Sequence, residues 1–416
     1  MSKQFTLRKS LIATVVASAL GAVMMPGSAW ASEADVLKKI EALQAAIDAQ
    51  NAEIAALKAQ VKATSAAAPA MAPQTAGKAM VTSIDGLTIY GKLELVATNN
   101  DDGKDTRSYF NNISSNIGFR GQRRFSDDLS GIMQVETGIA VDDDTNSKAF
   151  ASRNSYVGVD SKSAGRFFAG KYDMPLKMLS GYANPGNGEM DVQEVVIHGR
   201  GTSVAAGASW SNVHTRQTNV FQYWSPKFAD SFTVKAAYSP GGLTNENLPT
   251  TAIPYKKPVY GASVEFKSGM FQAGLASERL QNFSGDGKDN AAWKATAGMD
   301  LGAARFGLTY SSIDNHNGKQ TDNWLIGGYY KLSDKWKLAA EYAQSSETAG
   351  GANDGLTVWG LEADYLMDKN TKLYLQYLQI TNEAKAQGSF FAGDNRFVPL
   401  PGNDPLSIGL GIRYNF

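Results

Sequence analysis

The chain has 416 residues, and its 40 basic and 40 acidic side chains cancel, so nothing in its charge favours a nucleic-acid partner. It has no cysteine, which excludes a disulfide framework and thiolate metal ligation; its histidines, His198, His214 and His316, do not stand at metal-ligand spacing from one another. Glycine is abundant at 41, aromatics reach 10% and proline is scarce at 13, an unusual balance for an ordinary enzyme.

Lys3, Arg8 and Lys9 form a basic start, Leu11 to Val23 is apolar apart from small Thr and Ser residues, and Ala29-Trp30-Ala31 fits a small-x-small cleavage site before Ser32. Residues 1–31 are expected to be a secretory signal peptide, because the apolar stretch ends at Pro26, well short of the roughly 20 residues of a spanning helix. Cleavage would leave 37 basic against 40 acidic residues. No later stretch has the length and apolarity of a transmembrane helix, so a second meeting with a membrane would be through strands.

Residues 32–62 are expected to form a periplasmic coiled-coil helix. Ile40, Ile47, Ile54 and Val61 recur seven apart, Val36, Leu43, Gln50 and Leu57 fill the other core position, and Glu53 and Lys58 are placed for a g-to-e pair. A single amphipathic helix is the alternative, since alanine fills many flanking positions and is a strong helix former. Branched residues at a with Leu at d favour a dimer, and Gln50 weakens that preference. If the rest of the chain is trimeric, a parallel trimeric coil about 40 Å long follows. Residues 63–83 are small and proline-punctuated, a linker.

From residue 84 to residue 416 the pattern is alternation. Leu87, Ile89, Leu93 and Leu95 alternate with Thr88, Tyr90, Lys92 and Glu94; Trp336, Leu338, Ala340 and Tyr342, then Trp359, Leu361, Ala363 and Tyr365, repeat the theme. Sixteen such strands can be marked, an even number that suits a closed antiparallel barrel with both ends on one side. The links RRFSDD, SKSAG, SPKFADS, KSG, GAA, SDK and MDKN follow even-numbered strands and are short. Those after odd-numbered strands are longer: 99–111, 142–148, about 173–215, 240–257, 281–290, 313–321, 345–355 and 381–404. This two-sidedness is that of an all-β, 16-stranded transmembrane barrel, with short periplasmic turns and long outer loops.

The last residues, SIGLGIRYNF, show why both faces matter. Leu406, Ile408, Leu410, Ile412, Tyr414 and Phe416 are expected to face lipid, while Ser407, Gly409, Gly411, Arg413 and Asn415 face a wet lumen. This strand is expected to close against residues 86–98, leaving no unpaired edge in hydrocarbon.

The segments SSNIGFRGQRRFSDDLSGIMQVETG, SRNSYVGVDSKSAGRFFAGKYDMP and TRQTNVFQYWSPKFADSFTVKAAYS, with the terminal GIRYNF, resemble the general trimeric porins of Gram-negative outer membranes over about residues 85–416. The heptads of 33–62 are outside that pattern. The resemblance implies a water-filled channel for passive diffusion of small hydrophilic solutes and ions, and an outer-membrane homotrimer with no cofactor. Its third outer loop, here residues 173–215, would fold inward as a constriction. It also implies a basic ladder on the inner wall at Arg120, Arg153, Lys171 and Arg216, with Asn116 standing where the family often has arginine. Phe416 would be the signal read by the barrel-assembly machinery.

Alternation itself turns Asn116, Gly118 and Arg120 away from apolar Ile117 and Phe119, and Gln134 and Glu136 away from Met133 and Val135. By the same parity Arg153 shares a face with Ser155. An arginine on the lipid face would cost about 2–4 kcal/mol at mid-depth, so inward is the favourable side. On the loop, Asp173, Glu189, Asp191 and Glu194 are placed to face the ladder across the pore, a transverse field that would orient polar solutes. Ordinary exposed loop charges are the plainer reading.

His198 and His214 are read as solvated loop histidines. Asp142, Asp143 and Asp144, with Thr145 and Asn146, offer a cation or lipopolysaccharide-bridging site at an outer loop but lack the calcium-loop pattern. No nucleophile–base motif, P-loop or paired catalytic carboxylates appear. Beside the passive channel stand two other readings: a selective porin for small carboxylates, and a barrel whose coil tethers the outer membrane to peptidoglycan.

Overall fold

The computed structural model describes residues 86–142, 149–186, 188, 190–199, 213–241, 258–282, 287–315, 320–390 and 399–416. The expected signal peptide, coiled coil and linker lie outside these residues, as do Glu189, His316 and residues 143–148. Contacts divide the chain into Met1–Val81 and Thr82–Phe416, and the second unit is the barrel.

Its strands are β1 (Leu87–Asp101), β2 (Thr106–Asn112), β3 (Asn116–Arg124), β4 (Leu129–Gly138), β5 (Ser155–Ser161) and β6 (Gly165–Asp173). After the inner loop come β7 (Arg216–Trp224), β8 (Phe232–Ser239), β9 (Val259–Ser268), β10 (Phe271–Leu280), β11 (Asn290–Asp300) and β12 (Ala304–Asp314). The sheet is completed by β13 (Gln320–Lys331), β14 (Trp336–Ser345), β15 (Leu356–Leu366), β16 (Thr371–Asn382) and β17 (Leu406–Asn415). Each pairs antiparallel with its neighbours, and β17 returns to β1 with a register running from Lys92↔Asn415 to Asp101↔Leu406. Backbone bonds of 3.0 Å in both directions between Gly91 and Phe416 complete the seam.

The seventeen strands make sixteen staves, because β2 and β3 are two halves of one. The upper part of β1, from Leu95, pairs with β2, and the lower part, to Lys92, pairs with β3. At the break Ser114 takes φ 52°, and the Ser115 hydroxyl accepts the Glu94 N–H at 2.9 Å. This corrects the expected outer link at 99–111, since both strands run on to a tight turn at 102–105. The Asp101 carboxylate accepts the N–H of Gly103, and the Asp102 carboxylate those of Lys104 and Asp105. Polar residues that look like loop by hydropathy are here strand and turn held by their own side chains.

The distribution of polarity is inverted relative to a water-soluble protein. Glu94, Lys294, Thr309, Asn323 and Asp364 are fully buried inside the cylinder, whereas Ile89, Leu275, Phe306, Leu375 and Ile408 stand exposed on its outside. Outward aromatics form two rows. Trp324 and Tyr330 on β13, Trp336 and Tyr342 on β14, and Trp359 and Tyr365 on β15 are each six residues apart, roughly 20 Å along a strand. Within the rows, rings pair across strands, as in Trp336 with Tyr365 and Trp324 with Tyr342.

The described residues between β6 and β7 pack inside the barrel. A short helix, α1 (Pro175–Met178), and a π-turn at Gln193–Ile197 punctuate this inner loop. Met174, Leu176 and Leu179 pack with Val220, Val259, Ala276 and Ile313 of the wall. Met190, Val192, Val195, Val196 and Ile197 pack with Leu325, Val358, Leu378 and Ile380. The lumen side of these strands is therefore partly apolar, because it is the seat of the loop; each fully buried aliphatic side chain contributes about 1.5–3 kcal/mol.

A row of small residues lets the loop lie flat. Gly298, Gly307, Gly327, Glu341 and Gly360 are directly opposite one another across β11 to β15. A Cβ at Gly307 would stand 2.4 Å from the Ala183 nitrogen, and one at Gly327 would stand 2.0 Å from the Ala183 oxygen. Gly298 is covered by Tyr182 and Gly360 by Met190. Glycine is needed here for close backbone approach.

Candidate functional site: the constricted lumen

The loop is pinned to the wall by polar contacts at several depths. Gly186 N–H donates to Glu341 Oε1 at 2.6 Å, Gln272 Nε2 to the Ser180 carbonyl at 2.9 Å, and Ser311 Oγ to the Ile197 carbonyl at 2.9 Å. Arg305 lies 4.4 Å from the ring of loop residue Tyr182 and 5.2 Å from that of Tyr329, while its guanidinium pairs with Asp300. Within the loop, Asn184 Nδ2 donates to Asp191 and Asn184 Oδ1 accepts the Gln193 N–H.

Behind the loop, His198 and His214 are buried and stacked, with ring centroids 4.3 Å apart. This corrects their reading as solvated loop residues. His198 Nδ1 lies 3.2 Å from Glu194 and its Nε2 lies 3.3 Å from the buried Lys294 ammonium. Glu278 accepts the His214 N–H and the Thr215 hydroxyl. His198 in the loop and His214 near its end thus meet beside β11 and β10, a relation that no local pattern discloses.

The open wall carries ion pairs in which one carboxylate serves two cations. Glu94 binds Lys92 at 2.8 Å and Arg413 at 2.7 Å, and accepts the Tyr374 hydroxyl at 3.1 Å. Asp364 binds Lys337 at 2.6 Å and Lys372 at 3.3 Å. Asp173 binds Arg216 at 3.2 Å and Lys177 at 3.4 Å, and accepts Asn154 Nδ2 at 2.9 Å. Glu136 binds Arg153 at 2.6 Å and accepts the Tyr90 hydroxyl at 2.8 Å.

Arg120 lies 4.5 Å above the Tyr90 ring on the inner face and, among the described residues, has no carboxylate partner. Arg153 reaches inward to Glu136, but not through strand parity: β5 begins at Ser155, whose alternation partners Val157 and Val159 are exposed outside, and the chain bends before it, with Ala151 at φ 57°. Lys171 pairs across from Ser155 and alternates with Ala169 and the exposed Phe167, so it belongs to the outer face, and its ammonium donates to the Ala151 carbonyl at 3.2 Å. Its place in an inner ladder is corrected accordingly. Arg216 donates to Asn154 Oδ1 at 2.8 Å and pairs with Asp173.

Asn116 Nδ2 donates to the Ser114 carbonyl and Gln134 Nε2 to the Asn154 carbonyl, both bracing the bends above them. Of the loop carboxylates, Asp173 is the end of β6 and meets Arg216; Asp191 and Glu194 are held within the loop and its back face. Burial, and after it the neighbouring Glu194, push Asp191 up to about 6. Asp142 accepts the Asn112 N–H at 2.8 Å. Phe416 lies against Gly91 at the end of the seam, where no Cβ would fit.

Strand parity puts Arg413 on the lumen face and Lys92 at a polar position, but it does not reveal their shared carboxylate Glu94, and the wall cations Lys337, Lys372 and Arg305 were not singled out from sequence, although each lies at a polar position of an alternating strand.

A family model described as Gram-negative porin matches residues 57–385. No curated protein matches the chain in sequence. Among solved structures, the chain is similar to the anion-selective porin from Comamonas acidovorans at 18% identity, over 79% of this chain and 99% of that one, with a TM-score of 0.63. It is similar to the trimer form of Vibrio cholerae OmpT at 21% identity, 79% and 99% coverage and a TM-score of 0.56. Salmonella typhi OmpF matches at 16% identity, 79% and 97% coverage and a TM-score of 0.55.

Proposed function

The chain belongs to the Gram-negative porin family, a channel for passive diffusion across the outer membrane, and on that premise we propose how its lumen sorts what it passes. The channel admits small hydrophilic solutes and ions with a modest preference for anions. The observation that carries this is the arrangement of the wall, where Glu94, Asp364 and Asp173 each hold two cations while Arg120 holds none of their partners. Mobile anions complete the coordination of such shared cations, whereas Glu278 and Glu341 are occupied by the loop, accepting the His214 and Gly186 N–H groups.

The working unit is a homotrimer, a reading supported by the trimer form of the Vibrio protein. Short turns face the periplasm and long loops the exterior. Arg153 and Arg216 act as positioned wall charges, Phe416 as the terminal aromatic read by the assembly machinery, and residues 32–62 as a periplasmic coil.

Planar-bilayer recording of the refolded protein in a potassium chloride gradient tests the proposal. Steps in groups of three, with a reversal potential displaced modestly toward chloride, are expected. A strongly cation-selective reversal overturns the selectivity, and single independent steps overturn the trimer.

A further inference from the structure

At the short-turn mouth, on the wall formed by β1 and β3 to β6, lies a cavity of about 860 Å³ lined by Arg120, Gln134, Tyr156, Lys162, Arg166 and Tyr172 among others. Its cations outnumber its acids. Arg124 pairs with Asp127, the acidic residue of the lining, and Arg166 pairs with Asp160, whereas Arg120 has no carboxylate partner among the described residues.

One side of the cavity is aromatic. Tyr156 and Tyr172 meet edge to face at 5.4 Å, and both rest on Phe168, at 4.6 Å and 4.9 Å. Phe168 and Tyr172 in turn contact Trp224, over which Arg166 and Lys235 stand at 5.4 Å and 5.1 Å. Neither the Tyr156 nor the Tyr172 hydroxyl has a hydrogen-bond partner among the described residues, so both are open donors in the same cavity as Arg120, whose guanidinium rests on Tyr90 and is matched by no carboxylate there.

We infer that this cavity is a binding subsite for planar aromatic carboxylates on their way through the channel. A carboxylate is matched by the fork of Arg120 and by phenolic O–H donors, which are charge-assisted contacts. The ring of such a solute is matched by the edges and faces of Tyr156 and Tyr172, held in place by Phe168. An aliphatic carboxylate satisfies only the first set and a neutral sugar only part of the second. The inference rests on the reading of this chain as an open channel and refines its anion preference.

The test is single-channel recording of the wild-type trimer in potassium chloride with benzoate, acetate or inorganic phosphate as probe, block being scored as a fraction of each variant's own open current. Benzoate should interrupt the current at concentrations at least tenfold lower than acetate or phosphate. Arg120→Gln should raise the half-blocking benzoate concentration roughly tenfold or more, as loss of a charge-assisted bond implies. Tyr156→Leu and Tyr172→Leu should abolish the preference for benzoate over acetate while leaving a residual anion effect. Equal block by benzoate and acetate overturns the aromatic subsite, as does an unchanged benzoate response in all three variants. Normal chloride-carrying steps with no benzoate block overturn this inference alone, whereas absence of current overturns the channel reading beneath it.

Discussion

The carboxylate of Glu341, on β14, accepts the backbone N–H of Gly186 in the inner loop at 2.6 Å, although 155 positions separate the two in the chain. Glu341 is buried, and its cross-strand neighbours are Gly327 and Gly360, so it is the one long side chain in a row otherwise cleared for the loop backbone. Wall and loop are therefore joined at this depth of the lumen.

Replacing that acceptor should loosen the constriction. Glu341→Ala leaves the Gly186 N–H buried without its partner, a cost of about 1–3 kcal/mol, and the expected outcome is a larger and noisier single-channel conductance. Glu341→Gln keeps an acceptor oxygen and should stay close to wild type in the same recording.

Filling the glycine row should have a stronger effect. In Gly327→Val the new side chain begins 2.0 Å from the Ala183 oxygen, and the loop segment must move off the wall. Overpacking of this kind costs about 1–3 kcal/mol, here borne by the loop's seat more than by the hydrogen-bonded staves. Conductance should rise while the barrel's resistance to heat in detergent, read by gel mobility, changes little.

The shared carboxylate of Glu94 sets a local charge. Glu94→Gln strips the partner from Lys92 and Arg413 in a buried setting, where breaking a pair typically costs about 3–5 kcal/mol. The reversal potential in a salt gradient should move further toward chloride. Movement toward potassium would show that these cations do not face the ion path.

The acidity of Asp191 gives a pH signature. Its carboxyl is raised from the ordinary 3.8 to about 6, first by burial and then by Glu194. A group whose folded value is raised contributes stability that is fully present below its unfolded value and lost as pH rises through the folded one. The loop should therefore be quietest below about pH 4 and flicker increasingly as pH passes about 6. In Asp191→Asn the dependence of flicker rate on pH between those values should be markedly flatter.

The outer face offers a contrast. Leu410 stands exposed opposite Leu375 on the lipid side, and Leu410→Arg should lower stability by about 2–4 kcal/mol in bilayer refolding experiments. Asn415→Arg, at a lumen-parity position near the rim, should cost far less.

Alternation along the chain encodes one property without any tertiary information. A strand such as Leu406–Asn415 must show its even residues to one solvent and its odd residues to another, and repetition of that pattern to the last residue requires closure of β17 on β1. Loop lengths added which end is which, with the first outer link misread because Asp101 and Asp102 cap their own turn. Which side chains meet inside is fixed by packing across strands. Parity holds within a strand and fails at its ends, so Arg153 turns inward at a bend while Lys171, one residue off the inner set, does not. The seat of the loop, the stacked His198 and His214, and the row from Gly298 to Gly360 depend on register summed across several staves. That register is fixed by hydrogen bonds between residues far apart in the chain, and no local period can express it.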